Sequence, residues 1–379
     1  MKLRIRKMNF IIPSKGLLNK LLEMGGLLSN KPALPVLENF LFEIANNTLT
    51  ISSTDMETSM VTSIPVEAAA DAKFAAPGKM LLNILRGLPD QPITFSLDEK
   101  SYVLKGVRDN ANFEIACLNA DDYPKLPEKQ VDSTIKIPSN ILLRAITKTS
   151  FATSNDELRM NLNGINLDIK NDRLVFVATD SNRLVRFTRT DIKPGFEGNV
   201  IIPKKPMNLL SKSLIEDDSE VLVEFNKTTI FFTYGETLLS CRLIAATYPA
   251  YEQVIPKDNE KELSVNRGKF FDALSMASLF ANQATQQVRL KMSGNELLIK
   301  AEDLEMANKA EEKIPCSFEG DDLEIGFNAR YLKDIISAID SEDVVIKLSE
   351  PNRAGLVLPA SNEDNEDITM LIMPMMLGQ

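Results

Sequence analysis

The sequence contains no histidine, and this absence narrows the chemistry that is open to it. Histidine is the most common general base at neutral pH, the usual partner of a nucleophilic serine and a frequent zinc ligand. Ser-His nucleophile pairs and histidine-ligated metal sites are therefore excluded. Neither a Walker loop nor a G-x-G-x-x-G segment occurs, so no motif supports a nucleotide-binding loop. We expect no cofactor and no bound metal.

Cysteine and long apolar runs are also scarce. The three cysteines, Cys117, Cys241 and Cys316, are far apart, show no C-x-x-C spacing and are predicted to be reduced. No run of about 18 apolar residues, the minimum for a membrane-spanning helix, is present. The basic start of the chain is followed by only a short apolar segment before Pro13, too short for a signal peptide. We expect a soluble, cytoplasmic protein.

What the sequence does contain is an internal repeat. A short strand that runs into a helix recurs, and its Pro13 and Pro138 are 125 residues apart. A strand, a helix and another strand recur at residues 74–97, 200–225 and 323–348. A strand that ends in an acidic turn recurs at spacings of 125 and 123 residues, at Asp55, Asp180 and Asp303. Three landmarks in the same order indicate that one unit occurs three times.

Each repeat alternates strands of period two with two short helices, and turn residues cluster between them. The pattern predicts an α+β fold of three repeated domains, each with two helices and antiparallel sheets. Polar stretches that follow Tyr-Pro at residues 123–124 and 248–249 mark the boundaries. The predicted domains are residues 1–127, 128–256 and 257–379.

The charge is distributed unevenly along this repeat. The whole chain carries a net charge of −10. The helical windows together contain 13 basic and 3 acidic residues, a net charge of +10. Helix propensity does not explain this excess, because glutamate forms helices as well as lysine does. Helices that face a polyanion are therefore indicated. The windows are residues 14–23, 78–86, 139–148, 204–212, 267–274 and 328–339.

An acidic protein with basic helices is suited to surround DNA without adhering to it, through weak, salt-sensitive and sequence-independent contacts. Because such contacts are weak, the protein would stay on DNA only if it closed around the duplex. Twelve helices from two chains, side by side at about 9 Å, leave a hole of roughly 24 Å. A duplex fits such a hole, whereas six helices from one chain could not close around one. We therefore predict a ring of two chains.

Two alternatives remain at this point. The first is an enzyme that uses Asp55 and Asp180 as acid and base, although no third catalytic partner recurs and such residues usually form turns. The second is a monomeric triplicated scaffold that binds peptides without encircling DNA.

Several segments resemble the β subunit of bacterial DNA polymerase III, the family of β sliding clamps. They extend over the whole chain in the family's order: residues 31–37 (KPALPVL), 178–184 (ATDSNRL), 248–251 (YPAY), 325–331 (IGFNARY) and 373–377 (MPMML). The resemblance implies a head-to-tail homodimeric ring of six domains, with helices lining the hole. It also implies a processivity factor without catalytic activity that tethers the replicative polymerase, the clamp loader and other DNA-handling proteins.

The resemblance further implies a cleft between the second and third domains, where partners dock through a short linear motif. Its residues here are Arg159, Leu162, Thr179, Arg183, Leu184, Pro249, Val254, Asn328, Tyr331, Ile372, Met373, Pro374, Met375 and Leu377. Without the resemblance, the apolar residues among them would be read as a last strand packing on the core. Methionine at two of these positions suits a surface that accepts several different peptides. Arg159, Arg183 and Asn328 could fix polar groups of a peptide.

Two further sets of residues follow from the same reasoning. The resemblance places ring closure at Phe113 in the first repeat and at Leu279 and Phe280 in the third, flanked by acidic residues. The family and the helical charge together predict DNA-facing residues at Lys31, Lys79, Arg86, Arg144, Lys148, Lys204 and Lys205.

The sequence departs from the family pattern at the predicted cleft. Ser181 and Asn182 stand where the enterobacterial type usually has Gly-His, and Gln253 replaces a basic residue. Met376 takes the place of a penultimate arginine, and two residues, 378 and 379, extend the tail. These departures are expected to change the preference among partner motifs.

Overall fold

The structure is a computed structural model that describes residues 7–29, 33–108 and 111–377. All six predicted helices are confirmed, with small differences at their ends. The α-helices in the described residues are α1 (Ser14–Met24), α2 (Gly78–Arg86), α3 (Ser139–Thr149), α4 (Lys204–Ser213), α5 (Arg267–Ser278) and α6 (Ala329–Ser337).

The described residues also contain 27 strands, and every pair of neighbouring strands in a sheet is antiparallel. The first are β1 (Lys7–Pro13), β2 (Asn39–Ala45), β3 (Thr48–Thr54), β4 (Thr58–Pro65), β5 (Glu67–Ala68), β6 (Ala72–Pro77), β7 (Pro92–Asp98), β8 (Val103–Arg108), β9 (Ala111–Ala116), β10 (Leu118–Asn119), β11 (Ser133–Pro138), β12 (Gly164–Lys170), β13 (Arg173–Thr179) and β14 (Arg183–Arg189). The others are β15 (Gly198–Pro203), β16 (Glu220–Phe225), β17 (Thr229–Tyr234), β18 (Thr237–Arg242), β19 (Lys261–Asn266), β20 (Gln287–Ser293), β21 (Glu296–Asp303), β22 (Asn308–Pro315), β23 (Ser317–Glu319), β24 (Leu323–Asn328), β25 (Asp343–Leu348), β26 (Gly355–Pro359) and β27 (Glu366–Ile372).

The chain divides into two compact units. The first unit contains residues 1–143 and 205–243, and the second contains residues 144–204 and 244–379. The described part of the first unit has a five-stranded sheet, β5-β1-β7-β8-β9, and a nine-stranded sheet, β10-β6-β2-β3-β4-β18-β17-β16-β11. The second unit has a nine-stranded sheet, β15-β12-β13-β14-β27-β26-β25-β19-β23, and a four-stranded sheet, β22-β21-β20-β24, within the same limits.

This division crosses the middle repeat, whose residues belong to both units. The reason is strand pairing between repeats: β4 of the first repeat pairs with β18 of the second, and β14 of the second pairs with β27 of the third. Each nine-stranded sheet therefore joins two neighbouring repeats through main-chain hydrogen bonds. The two compact units are each built around one of these shared sheets, so their limits do not coincide with those of the repeats. The domain boundaries near residues 127 and 256 stay a prediction.

Amphipathic helices pack on these sheets. In α2 the buried residues Leu81, Leu82 and Leu85 share one face, whereas Lys79 and Arg86 are exposed. This spacing is the usual pattern of a helix with one face in the core. α1 contacts α2 in the first unit, and α5 contacts α6 in the second. On α2 the basic residues thus lie on the side away from the apolar interior.

The recurring aspartates form turns. The Asp180 carboxylate accepts the backbone N–H groups of Asn182 and Arg183, at 3.0 Å each. Asp55 and Asp303 likewise accept N–H groups from the residues two and three positions later. A carboxylate that is hydrogen-bonded to its own turn shapes the backbone. This geometry favours the turn-forming interpretation over the acid-base interpretation.

The three cysteines are free, as predicted. Cys117 and Cys241 are buried, and burial raises the pKa of the Cys117 thiol to about 12. A thiol with a raised pKa stays protonated at neutral pH and is a poor nucleophile. The cysteines therefore contribute apolar volume to the two units.

We predict that Gly164→Ala will destabilise the second unit. A Cβ at Gly164 would lie 2.3 Å from the backbone oxygen of Ile202 on the paired strand β15, which cannot move without breaking the ladder. We expect a loss of about 2 kcal/mol in the free energy of unfolding, measured by urea denaturation. Gly198→Ala on β15 is the matched control, because its Cβ would make only ordinary contacts, with side-chain carbons of Ile169 at 3.5 Å and Phe196 at 3.9 Å. Equal stability of the two variants would contradict this account.

Candidate functional site

The C-terminal segment, residues 373–377, lies against two other parts of the second unit. The Met373 N–H donates to the Asn182 carbonyl oxygen at 2.8 Å, and the Met375 N–H donates to the Gly326 carbonyl oxygen at 2.8 Å. A Cβ at Gly326 would lie 2.9 Å from the Met375 oxygen, so glycine permits this close approach. The segment is thus fixed between the 180–183 turn and β24.

All residues of the predicted cleft lie in the second unit. Two are strongly exposed apolar side chains, Val254 at 58% and Met373 at 43%. Those that are exposed or partly exposed besides these are Arg159, Pro249, Asn328, Tyr331, Pro374, Met375 and Leu377. The buried ones are Leu162, Thr179, Arg183, Leu184 and Ile372. Apolar groups at the surface thus adjoin a packed base.

The base belongs to one apolar cluster. Leu162 and Leu184 share it with Val177, Tyr248 and Leu371. These residues come from β13, β14, β27 and two connecting segments, which β-pairing brings together. The cluster gives the exposed residues above it a rigid support.

Arg183 is buried and has its contacts inside the second unit. Its Nε donates to Asp180 at 3.2 Å, its Nη1 to Asp334 at 2.6 Å and its Nη2 to the Phe151 carbonyl oxygen at 2.8 Å. The guanidinium carbon also lies 4.6 Å from the centre of the Tyr331 ring, within cation–π range. The expectation that Arg183 binds polar groups of a partner does not fit this environment, because the residue is only 7% exposed and three of its five N–H donors are engaged inside the unit. It connects β14 to α6 and holds Tyr331.

Asn328 has a similar internal role. Its Oδ1 accepts the Tyr331 N–H at 3.2 Å, and its Nδ2 donates to the Thr285 carbonyl oxygen at 3.1 Å. Asn328 is therefore the N-cap of α6. It orients the first turn of the helix that carries Tyr331.

The segment that contains Pro249 and Val254 is held by contacts that sequence analysis missed. The Tyr251 hydroxyl donates to Asp168 Oδ2 at 2.7 Å, and Arg186 Nη1 lies 3.2 Å from a Glu252 carboxylate oxygen. Burial raises the pKa of Tyr251, and the adjacent Asp168 carboxylate raises it further. The signal for this anchor was the second tyrosine of the Tyr-Pro-Ala-Tyr segment at residues 248–251, which reaches Asp168.

Arg159 is the exposed basic residue of the predicted cleft. Its Nη1 donates to the Ser181 hydroxyl oxygen at 3.0 Å, and its Nε lies 3.5 Å from Asp156 Oδ2. About half of its side chain is exposed. Of the three polar residues predicted to bind a peptide, Arg159 is the one whose guanidinium is presented to solvent.

The predicted DNA-facing residues occupy different environments. Lys31 lies outside the described residues. Lys79 and Arg86 are exposed on α2, and Lys205 at the start of α4 forms an ion pair with Asp55. Lys204 donates to an Asn155 oxygen at 3.2 Å; burial lowers its pKa, and the charge of Arg183 lowers it further.

Arg144 and Lys148 on α3 belong to an internal ion cluster. Arg144 binds the Glu366 carboxylate at 2.6 and 2.8 Å, and the Glu366 side chain is only 1% exposed. Lys148 is buried, and its ammonium donates at 2.6 Å to both Asp340 and the Ala338 carbonyl oxygen. Because its charge is neutralised inside the unit, the prediction that Lys148 faces DNA does not agree with the structure.

The pKa of the Asp340 carboxyl is changed by its partners in the same cluster. Burial alone would raise its pKa, but hydrogen bonds and charges from Lys148 and Arg144 outweigh burial and lower it. A lowered pKa means that this carboxylate stabilises the fold at neutral pH and that the stabilisation is lost as the pH falls through its folded-state value. Arg144, which binds both Asp340 and Glu366, therefore stabilises the fold as Lys148 does.

The residues predicted to close the ring are not all core residues. Leu279, the C-cap residue directly after α5, is 80% exposed, and Phe280 beside it is partly exposed. Phe113 is also partly exposed; its ring meets Phe95 edge to face at 6.0 Å and covers Gly106, which has no side chain to displace it. Apolar surface is therefore present at the predicted positions in each unit.

Two kinds of feature are absent from the described residues. No helix within residues 7–29, 33–108 and 111–377 is both long and apolar enough to cross a bilayer. In the same part of the chain, no cluster of three or more acidic or cysteine side chains could hold a metal ion.

Three consecutive parts of the chain, together most of its length, match models of one protein family. The N-terminal domain of the DNA polymerase III β subunit matches residues 8–127, its central domain residues 136–250 and its C-terminal domain residues 252–376. The chain belongs to the DNA polymerase III β subunit family. Among curated relatives, a β sliding clamp from Pseudomonas aeruginosa is 32% identical over 98% of this chain and all of that protein. The Escherichia coli β sliding clamp is 28% identical with the same coverage.

Solved structures agree with this assignment. A Pseudomonas aeruginosa sliding clamp bound to griselimycin has a TM-score of 0.91 at 31% identity, and covers 98% of this chain and 100% of its own. A clamp from Bartonella birtlesii, also bound to griselimycin, has a TM-score of 0.92 at 28% identity with the same coverage. The α+β clamp fold and the sliding-clamp function predicted from the sequence are thus confirmed for this chain.

We predict that Arg144→Met will destabilise the protein. The variant leaves the buried Glu366 carboxylate without its main partner, and unpaired buried charges cost about 3–5 kcal/mol. Urea denaturation measures the change. The double variant Arg144→Met with Glu366→Gln is the control and should recover part of the loss, because no unpaired charge remains. Unchanged stability in the single variant, with weaker retention on DNA, would place Arg144 on the DNA-facing surface instead.

Proposed function

We propose that this sliding clamp encircles duplex DNA as a head-to-tail homodimer of six domains, three from each chain. It tethers the replicative polymerase, the clamp loader and other DNA-handling proteins, and has no catalytic activity of its own. This role belongs to the replication machinery in the cytoplasm. The observation that carries the proposal is the exposed apolar surface of Met373 and Val254 over a packed base, in a chain of this family.

The cleft is proposed as the site for a short peptide motif. Exposed apolar side chains on a rigid base offer burial to the apolar residues of a ligand. Methionine adapts its shape to different partners, because its side chain is unbranched and polarisable. The backbone of the 373–377 segment is hydrogen-bonded to Asn182 and Gly326, so its side chains are presented at little cost in conformational entropy.

The proposed homodimer uses the first repeat of one chain and the third repeat of the other. Leu279, Leu304 and Met306 in the third repeat are 70–85% exposed. Exposed apolar groups of this size indicate an interface, especially when charged residues surround them. Lys300, Lys309 and Glu311 form ion pairs on β21 and β22 nearby in sequence. Apolar contact rimmed by charge would fix one orientation and close the ring.

Placing negative charge in the cleft tests whether it binds an apolar peptide. Met373→Glu combined with Met375→Glu should weaken binding of a short peptide from the cognate polymerase by about a hundredfold, because an apolar ligand would have to desolvate charge. Fluorescence anisotropy measures the affinity. Met80→Glu is the matched control, since Met80 is 51% exposed on α2 outside the cleft. Unchanged affinity in the double variant would show that the cleft lies elsewhere.

Retention on circular and on linear DNA tests whether the protein encircles the duplex. Loaded by the cognate clamp loader, the protein should stay on circular DNA and leave when the circle is cut, because a ring is held by topology. Gel filtration of bound protein on intact and linearised DNA measures this, and blocking both DNA ends should restore retention. Light scattering should give the mass of two chains. Retention on open linear DNA would contradict encirclement, and a strict monomer would support the peptide-binding scaffold instead.

A further inference from the structure

The 180–183 turn has a counterpart in the first repeat that shows what its backbone requires. The Thr54 and Thr179 hydroxyl oxygens each accept, at 3.1 Å, the N–H of the residue two positions later. These later residues, Met56 and Ser181, both adopt left-handed backbone conformations, with φ of +80° and +76°. The same turn therefore imposes a positive φ in two separate units, whatever side chain is present.

A serine at such a position has a strained backbone. Residues with a Cβ are strained at positive φ, whereas glycine adopts this conformation readily. A side-chain contact offsets part of this strain, and Ser181 makes one. Its hydroxyl oxygen accepts the Nη1–H of Arg159 at 3.0 Å.

Arg159 is held by one further side chain, Asp156. Asp156 Oδ2 lies 3.5 Å from the Arg159 Nε, and the Asp156 Oδ1 accepts the Leu158 N–H at 3.0 Å, which fixes the carboxylate. The Arg159 backbone departs from helical geometry, with φ of −114° and ψ of 56°, inside the 3-10 helix at residues 157–162. The guanidinium is thus placed by Ser181 and Asp156 while about half of the side chain stays exposed. A guanidinium has five N–H donors, so two contacts leave donors for a ligand.

Both residues adjoin the proposed cleft. Asn182, next to Ser181, accepts the Met373 N–H at 2.8 Å, so the same turn fixes Met373. Leu162, three residues after Arg159, is buried in the apolar base. The Ser181–Arg159 contact therefore joins the turn that holds Met373 to the segment that contributes Leu162.

We propose that Ser181 is a specificity-determining residue of the cleft: its hydroxyl holds the Arg159 guanidinium at the rim, and this favours partner peptides that carry a carboxylate there. The proposal rests on the proposed peptide-binding function. A guanidinium matches a carboxylate with two parallel N–H···O bonds, and a guanidinium that is already oriented loses less entropy when they form. Without the hydroxyl, Arg159 keeps its charge and loses its fixed direction.

The test uses peptides based on the short polymerase peptide, in which each position flanking the apolar residues carries either Asp or Asn. For each pair, the ratio of the two dissociation constants is measured by fluorescence anisotropy at low salt. The unaltered chain should prefer Asp about three- to fivefold at one position, as expected for an exposed ion pair. In Ser181→Gly this preference should fall below about twofold, with the affinity for the Asn peptide unchanged. Arg159→Gln should abolish the preference.

Stability separates this role from a merely structural one. Ser181→Gly relieves a strained φ, so its melting temperature should not fall. Met56→Gly is the matched control, because it relieves the same strain in the counterpart turn and should leave the Asp preference intact.

A full Asp preference in Ser181→Gly would overturn the proposal while leaving the cleft in place. An equal loss of affinity for both peptides with a lower melting temperature would also overturn it, in favour of a structural role. If the unaltered chain binds none of the peptides, both the proposal and the proposed cleft fail.

Discussion

The pairing of β14 with β27 is the constraint on which the candidate site depends. The register joins Arg183 to Ile372 at one end and Arg189 to Glu366 at the other, so two distant parts of the chain form one sheet. Because β27 ends beside the start of β14, Met373 reaches the turn that precedes Arg183. The same register carries Glu366 to the sheet end where Arg144 binds it. A shift by one residue would invert every side chain of β27 and remove both arrangements.

Much of this organisation is visible in the sequence, because local periodicity records it. The six helices and the turn-forming aspartates follow from apolar spacing and turn chemistry that a repeat displays three times. Charge was a weaker guide. Counting basic residues in helices gives their sign, but burial depends on residues far along the chain: Lys148 meets Asp340, and Arg144 meets Glu366. No local signal distinguishes these two residues from Lys79, which is exposed.

The site illustrates the same limit. The resemblance selected residues near the cleft, yet it could not separate those that face a ligand from those that hold the frame. Arg183 and Asn328 carry polar groups of the right kind, and the structure uses both to fix α6 and Tyr331. Tyr251 shows the converse, since it supports the segment of Val254 without belonging to the predicted set. Roles of this kind depend on tertiary contacts, which one sequence does not display.

The two nine-stranded sheets show why a peptide site would form at one repeat junction and not at the other. In the first unit, β18 pairs with β4, and the Arg242 N–H donates to the Glu57 carbonyl oxygen at 2.9 Å. This bond matches the one from Met373 to Asn182 at 2.8 Å in the second unit. The same backbone hydrogen bond therefore occurs at both places. However, Arg242 lies 3.7 Å from the Glu57 carboxylate in an exposed ion pair, whereas Met373 offers apolar surface. An apolar ligand would have to desolvate this charged pair, so the first junction is less suited to bind one.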